Sequence, residues 1–78
     1  MAHAITIRHS TDDDGAAVRR LAALDDRPAP HGDALLAFVG AELRAALPVH
    51  VGTPVADPFH RTDHLVWMLR TWLLEEEA

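Results

Sequence analysis

Six consecutive apolar residues, Ala34-Leu35-Leu36-Ala37-Phe38-Val39, stand between Asp33 and the pair Gly40-Ala41. A run this short with apolar side chains at both alternating positions fits a strand covered on two faces, and so a central place in a sheet. The strand is expected over 33–39. Gly40-Ala41 supplies a turn, and Glu42 to Leu47 returns antiparallel as the second arm of a hairpin. Pro48, which has no N–H, interrupts or ends that arm.

The flanking segments divide on the same grounds. Ile5 to His9 alternates β-branched apolar with polar residues, as a strand with one buried face does. Ser10 or Thr11 can cap a following helix, and Asp12, Asp13 and Asp14 place negative charge at its positive end. The same acidic run also reads as a metal-binding cluster. The helix is expected to reach about Asp25, with Val18, Leu21 and Ala22 turned inward and Arg19 and Arg20 facing solvent or an acidic neighbour. Arg27-Pro28-Ala29-Pro30-His31-Gly32 is a loop, because two prolines and a glycine suit no regular element. Gly52-Thr53-Pro54 makes another turn, and Val55-Ala56 suffices for a short fourth strand. Asp57-Pro58-Phe59 breaks it, and Thr62 can cap a final helix running to about Glu76. The expected fold is α+β: a three- to four-stranded, mainly antiparallel sheet with two helices, ordered β-α-β-β-(β)-α, in a single domain over 1–78.

A chain of 78 residues buries only about 60–65% of the surface that its unfolded form exposes. With no cysteine it has neither a disulfide staple nor a thiolate metal site, so oligomerisation is the obvious further source of buried surface. Twelve acidic residues against seven arginines, with no lysine, give a formal charge of −5 and argue against nucleic acid as a partner. Met1-Ala2-His3-Ala4 lacks the basic and apolar stretches of a secretory signal, and the longest apolar run of the last helix, Leu65 to Leu69, is far short of a membrane span. The expected location is the cytoplasm, with no membrane partner. The Ala- and Arg-rich composition fits a GC-rich bacterial genome.

Several short motifs carry a family likeness. Ile7-Arg8 at the end of a strand, Asp12 to Asp14 at a helix start, Val18 to Leu21 within that helix, and the hairpin Phe38-Val39-Gly40-Ala41-Glu42-Leu43-Arg44-Ala45-Ala46 together resemble the first half of the GNAT superfamily of N-acetyltransferases. The likeness covers roughly residues 4 to 47. It implies a partial GNAT fold and, were the chemistry retained, acetyl-CoA as cofactor. The family then places R/Q-x-x-G-x-G/A between its fourth strand and the next helix, where backbone N–H groups hold the cofactor pyrophosphate. Here the matching segment is Asp57-Pro58-Phe59-His60-Arg61-Thr62-Asp63, which has no glycine, a proline without an N–H, and aspartates where phosphates would sit. The family's later strands find no residues here. The expectation is therefore that the chain binds no cofactor in the family manner and inherits none of its catalytic residues.

Other constellations are weaker. His60 and His64, four apart, would share a helix face as metal ligands if the last helix began early, with Asp57, Asp63 and His50 as further ligands. They read more readily as polar residues at an exposed helix entry, with Asp57-Pro58 and Thr62 as caps, and a Thr62 cap would leave His60 outside the helix. Ser10 has no nucleophile-elbow glycines around it and reads as a cap rather than a nucleophile. The last helix is the best lead. Leu65, Met68, Leu69, Trp72 and Leu73 form one apolar stripe at helical spacing, and Val66, Trp67 and Leu74 extend apolar surface beyond it. This is either a wide core face or a partner-binding face, with Leu65, Val66, Trp67, Met68, Leu69, Trp72 and Leu73 as the candidate interface. Trp67, off the stripe, should be exposed in a monomer. The leading expectation is a non-catalytic, GNAT-like interaction module that forms a homodimer or docks on another protein. The alternatives are an acetyl-CoA-dependent N-acyltransferase whose site a second chain completes, and a small ligand- or metal-binding protein.

Overall fold

In the computed structural model, which describes residues 4–50 and 52–77, the chain forms β1 (Ile5–His9), a one-turn 3-10 helix (Asp12–Asp14), α1 (Gly15–Leu24), β2 (Ala34–Val39), β3 (Glu42–Pro48), β4 (Val55–Ala56) and α2 (Asp63–Glu77). The stretch Met1 to His3 read above for a targeting signal lies outside the described residues. The four strands make one antiparallel sheet in the order β1-β2-β3-β4, and with two helices this is the α+β architecture expected from the sequence.

β2 is central, as its two apolar faces require. Leu36 and Ala34 point to one side and join Ala46, Val55 and the α1 residues Val18, Leu21 and Ala22. Leu35 and Ala37 point to the other and join Ala45, Leu47 and the α2 residues Leu65 and Leu69. Each helix therefore covers one face of the sheet, and Leu35 and Leu36 are both fully buried. Gly40 turns the hairpin at φ 61°, a left-handed conformation that a side chain would disfavour.

Two local details differ from the sequence reading. The helix expected from Asp12 opens with a 3-10 turn before α1 begins at Gly15. Ser10 does not cap it; its hydroxyl accepts the Ala34 N–H at 3.1 Å and ties the end of β1 to β2. Pro48 is the last residue of β3, which ends there as the sequence leads one to expect. Val49 N–H donates to the Asp33 carbonyl at 3.0 Å, so by antiparallel alternation the Pro48 nitrogen faces away from β2. On that side β4 has already ended, at Val55 opposite Ala46, so no ladder bond is lost.

A bulge in the hairpin corrects the register. Phe38 lies opposite Leu43 and Ala37 opposite Ala45, which leaves Arg44 without a partner on β2. The extra residue lets Leu43 pack on the α1 side while Ala45 and Leu47 pack on the α2 side.

One ion pair fastens β1 to the start of α1. Arg8 donates two hydrogen bonds of 2.8 Å to the two oxygens of Asp14, and lies with its guanidinium carbon 4.8 Å from the centre of the Phe38 ring. Asp14 also accepts the Thr11 N–H at 2.6 Å and is buried. Arg8 and then the Thr11 N–H hold its carboxyl well below the usual carboxylate range, against the opposing effect of burial. A depressed folded pKa stabilises the fold above the unfolded value and loses that contribution as pH falls through the folded value. Asp14→Asn is therefore expected to lower unfolding free energy by about 1–3 kcal/mol at neutral pH, the worth of charged hydrogen bonds. In urea titrations the gap between the two proteins should narrow progressively below about pH 4, where an unfolded aspartate protonates.

Candidate functional site

The apolar surface of α2 is sorted by the sheet beneath it. Leu65 and Leu69 sit in the core, so these two members of the candidate interface present no surface. Val66, Met68 and Leu73 are half-buried and pack at the margin of the same cluster. Trp67 is 67% exposed and Trp72 43%, and Leu74 is as exposed as Trp67. Trp67 and Leu74 are seven residues apart, two turns or about 10 Å along the helix, and share its outward side. Trp72 looks elsewhere. It lies one turn before Glu76, whose carboxylate meets His9 Nε2 at 2.9 Å, so both stand on the β1 flank of α2. The opposite flank, with Arg70 and Leu73, borders Leu47, Val49 and His50.

The polar groups around α2 form a second cluster that is closed on itself. Arg44, aimed by the bulge, binds Asp57 through Nη1 at 3.0 Å and Glu42 through Nη2 at 2.7 Å. His60 Nδ1 lies 2.9 Å from Arg44 Nη1 and 3.1 Å from Asp57 Oδ2. The other Asp57 oxygen accepts the Phe59 N–H at 2.8 Å, an Asx turn across Pro58. Burial pushes the Asp57 carboxyl up, but Phe59, Arg44 and His60 together outweigh it and leave the group below its ordinary value. Among the described residues no buried side-chain nitrogen or oxygen lacks a hydrogen-bond partner. The cleft beside the cluster, between Arg20 and Leu24 of α1 and Glu42 and Arg44 of β3, holds about 240 Å³. Small-molecule sites occupy roughly 300–1,000 Å³.

The other sequence candidates are dispersed. Thr62 takes the N-cap position, its carbonyl accepting the Val66 N–H at 2.9 Å, so α2 begins after His60 and His64 alone lies on the helix. Among the described residues no three His, Asp or Glu side chains converge on a common point that could hold a metal ion. No helix among them is long and apolar enough to cross a membrane. The segment Asp57 to Asp63 does not fit a nucleotide pyrophosphate: the Phe59 N–H, which would have to face the anion, is already bound by the protein's own carboxylate. Arg44, beside it, is likewise engaged between two carboxylates.

No protein-family model, curated protein or solved structure matches this chain.

Sequence reading missed the Arg44–Asp57 pair, because nothing in the spacing shows that a bulge will aim Arg44 at the turn after β4. The Asp-Pro-Phe triplet was the available signal, since an aspartate before proline commonly accepts the N–H two residues on. If the cluster is structural, Asp57→Ala strands the Phe59 N–H and removes a buried partner of Arg44. The expected loss is about 2–3 kcal/mol of stability in urea unfolding, with the α+β circular dichroism retained.

Proposed function

We propose that this chain acts by association, as a non-catalytic, GNAT-like interaction module of the cytoplasm that pairs with itself or docks on another protein. The observation that supports the reading is the contrast within α2. Leu65 and Leu69 satisfy the core, yet Trp67 and Leu74 remain 67% exposed on the far side of the same helix. Large apolar side chains in that position add nothing to the monomer's core, and tryptophan is among the residue types that anchor protein interfaces. The ionisable groups point the other way: Arg8, Asp14, Arg44 and Asp57 are all engaged in ties between neighbouring segments. No group in these clusters is left free to act on a substrate.

Burying one large apolar side chain contributes about 1.5–3 kcal/mol, so two or three at an interface decide whether a domain this small is stable alone. Trp67→Glu is expected to weaken association while leaving the unfolding midpoint nearly unchanged, because Trp67 lies outside the core. Sedimentation equilibrium of both proteins up to high micromolar concentration checks it. A monomeric wild type that also captures no protein partner through this face would end the reading.

The proposal also sets an expectation for the cofactor suggested by the family likeness. Each lost phosphate hydrogen bond to a charged group is worth about 1.5–3 kcal/mol, and the Asp57 to Asp63 segment lacks several. Isothermal calorimetry should detect no binding of acetyl-CoA to the isolated chain. A micromolar dissociation constant would restore the acyltransferase reading.

A further inference from the structure

The two edges of the sheet are finished differently. At β4 the Asp57 N–H donates inward to the Arg44 carbonyl at 2.9 Å, so by alternation the Ala56 N–H faces out. There Asp25 Oδ2 takes it at 3.1 Å, and Pro54, just before the strand, has no N–H to offer. That edge is two residues long and blunted.

β1 is the other edge. Ser10 N–H donates to the Ala34 carbonyl at 2.8 Å and Gly40 N–H to the Ala4 carbonyl at 2.9 Å, so even-numbered residues turn their backbone groups toward β2. Ile5, Ile7 and His9 consequently turn theirs outward. Among the described residues, only the His9 carbonyl of this set has a partner, Arg8 Nη1 at 3.0 Å. The strand has no proline, no bulge and no lysine, the usual protections of an open edge. Apolar surface runs beside it on the α2 side, where Ile5 is 40% exposed and Trp72 stands on the near flank of the helix.

We propose that β1 pairs antiparallel with β1 of a second copy of this chain, joining two sheets into one of eight strands. The proposal rests on the association reading above and adds to the Trp67 face a second surface, the β1 edge, whose partner is another copy of this chain. Self-complementarity selects the second copy. With a two-fold axis through Ile7, Ile7 faces Ile7 and Ile5 faces His9 in each direction, so all three outward residues meet outward residues. A shift of one residue sets outward groups against inward ones, and a shift of two leaves one of the three without a partner inside the strand. Charge permits the same register. It places Arg8 opposite Thr6, and each Arg8 is already paired with its own Asp14 at 2.8 Å, so the two arginines do not meet as bare like charges. His9 is likewise held by Glu76 at 2.9 Å. An axis perpendicular to the sheet keeps both α2 helices on one side, with their Trp72 flanks facing across the seam. Ile5 and Trp72 are then covered, while Trp67 and Leu74 stay outward for a further contact.

Amide hydrogen exchange read by NMR, at low and high micromolar concentration with the mass measured alongside, tests this. The expected result is a doubled mass with exchange of the Ile5, Ile7 and His9 amides slowed more than about tenfold at the higher concentration. Ile7→Pro removes an outward N–H and no bond to β2, and should raise the dimer dissociation constant at least about tenfold. Ile5→Lys, at an exposed position, should do the same, and it decides the matter if the proline variant fails to fold. A doubled mass with the three amides exchanging at an unchanged rate overturns the edge pairing and leaves association through another face. A mass that stays monomeric, with those amides unprotected, overturns the edge pairing and self-association, and leaves of the association reading only docking on another protein.

Discussion

A strand with no polar side has to be covered twice, and β2 is such a strand. Leu35 and Leu36 are fully buried on opposite faces, so the molecule requires one helix above the sheet and one below. Among the described residues two helices meet that need, one for each face. The exposed side of α2 and the open edge of β1 are consequences of this division. Both carry apolar surface, Trp67 and Leu74 on the helix and Ile5 on the strand.

Charge works locally in this fold. Asp14 joins the end of β1 to the turn before α1, Asp25 takes an N–H from the outer edge of β4, and Asp57 closes the turn that leads to α2. Each aspartate binds backbone or arginine across a junction between elements, where a small core has little packing to contribute.

Much of the architecture was legible because it follows local pattern. The apolar run at Ala34 to Val39 announced a central strand, Gly40 the hairpin, Val55-Ala56 the short fourth strand, and the spacing from Leu65 onward the last helix. Trp67 was separable from the core stripe by helical phase alone, and it is exposed. Leu65 and Leu69 were not separable from Trp72 in the same way, because their shielding depends on how the helix sits across β2 and β3. The ion pairs escaped for a related reason. Arg8 with Asp14 and Arg44 with Asp57 are brought together by a turn, a bulge and strand pairing, none of which leaves a mark at either residue's position in the sequence.

Association is the claim on which the functional reading depends, and native mass spectrometry from a non-denaturing buffer tests it most directly. The predicted result is a dominant species of twice 8.6 kDa at micromolar concentration, dissociating on dilution into a folded, low-charge-state monomer. A spectrum that holds only the 8.6 kDa monomer across the same range would contradict self-association.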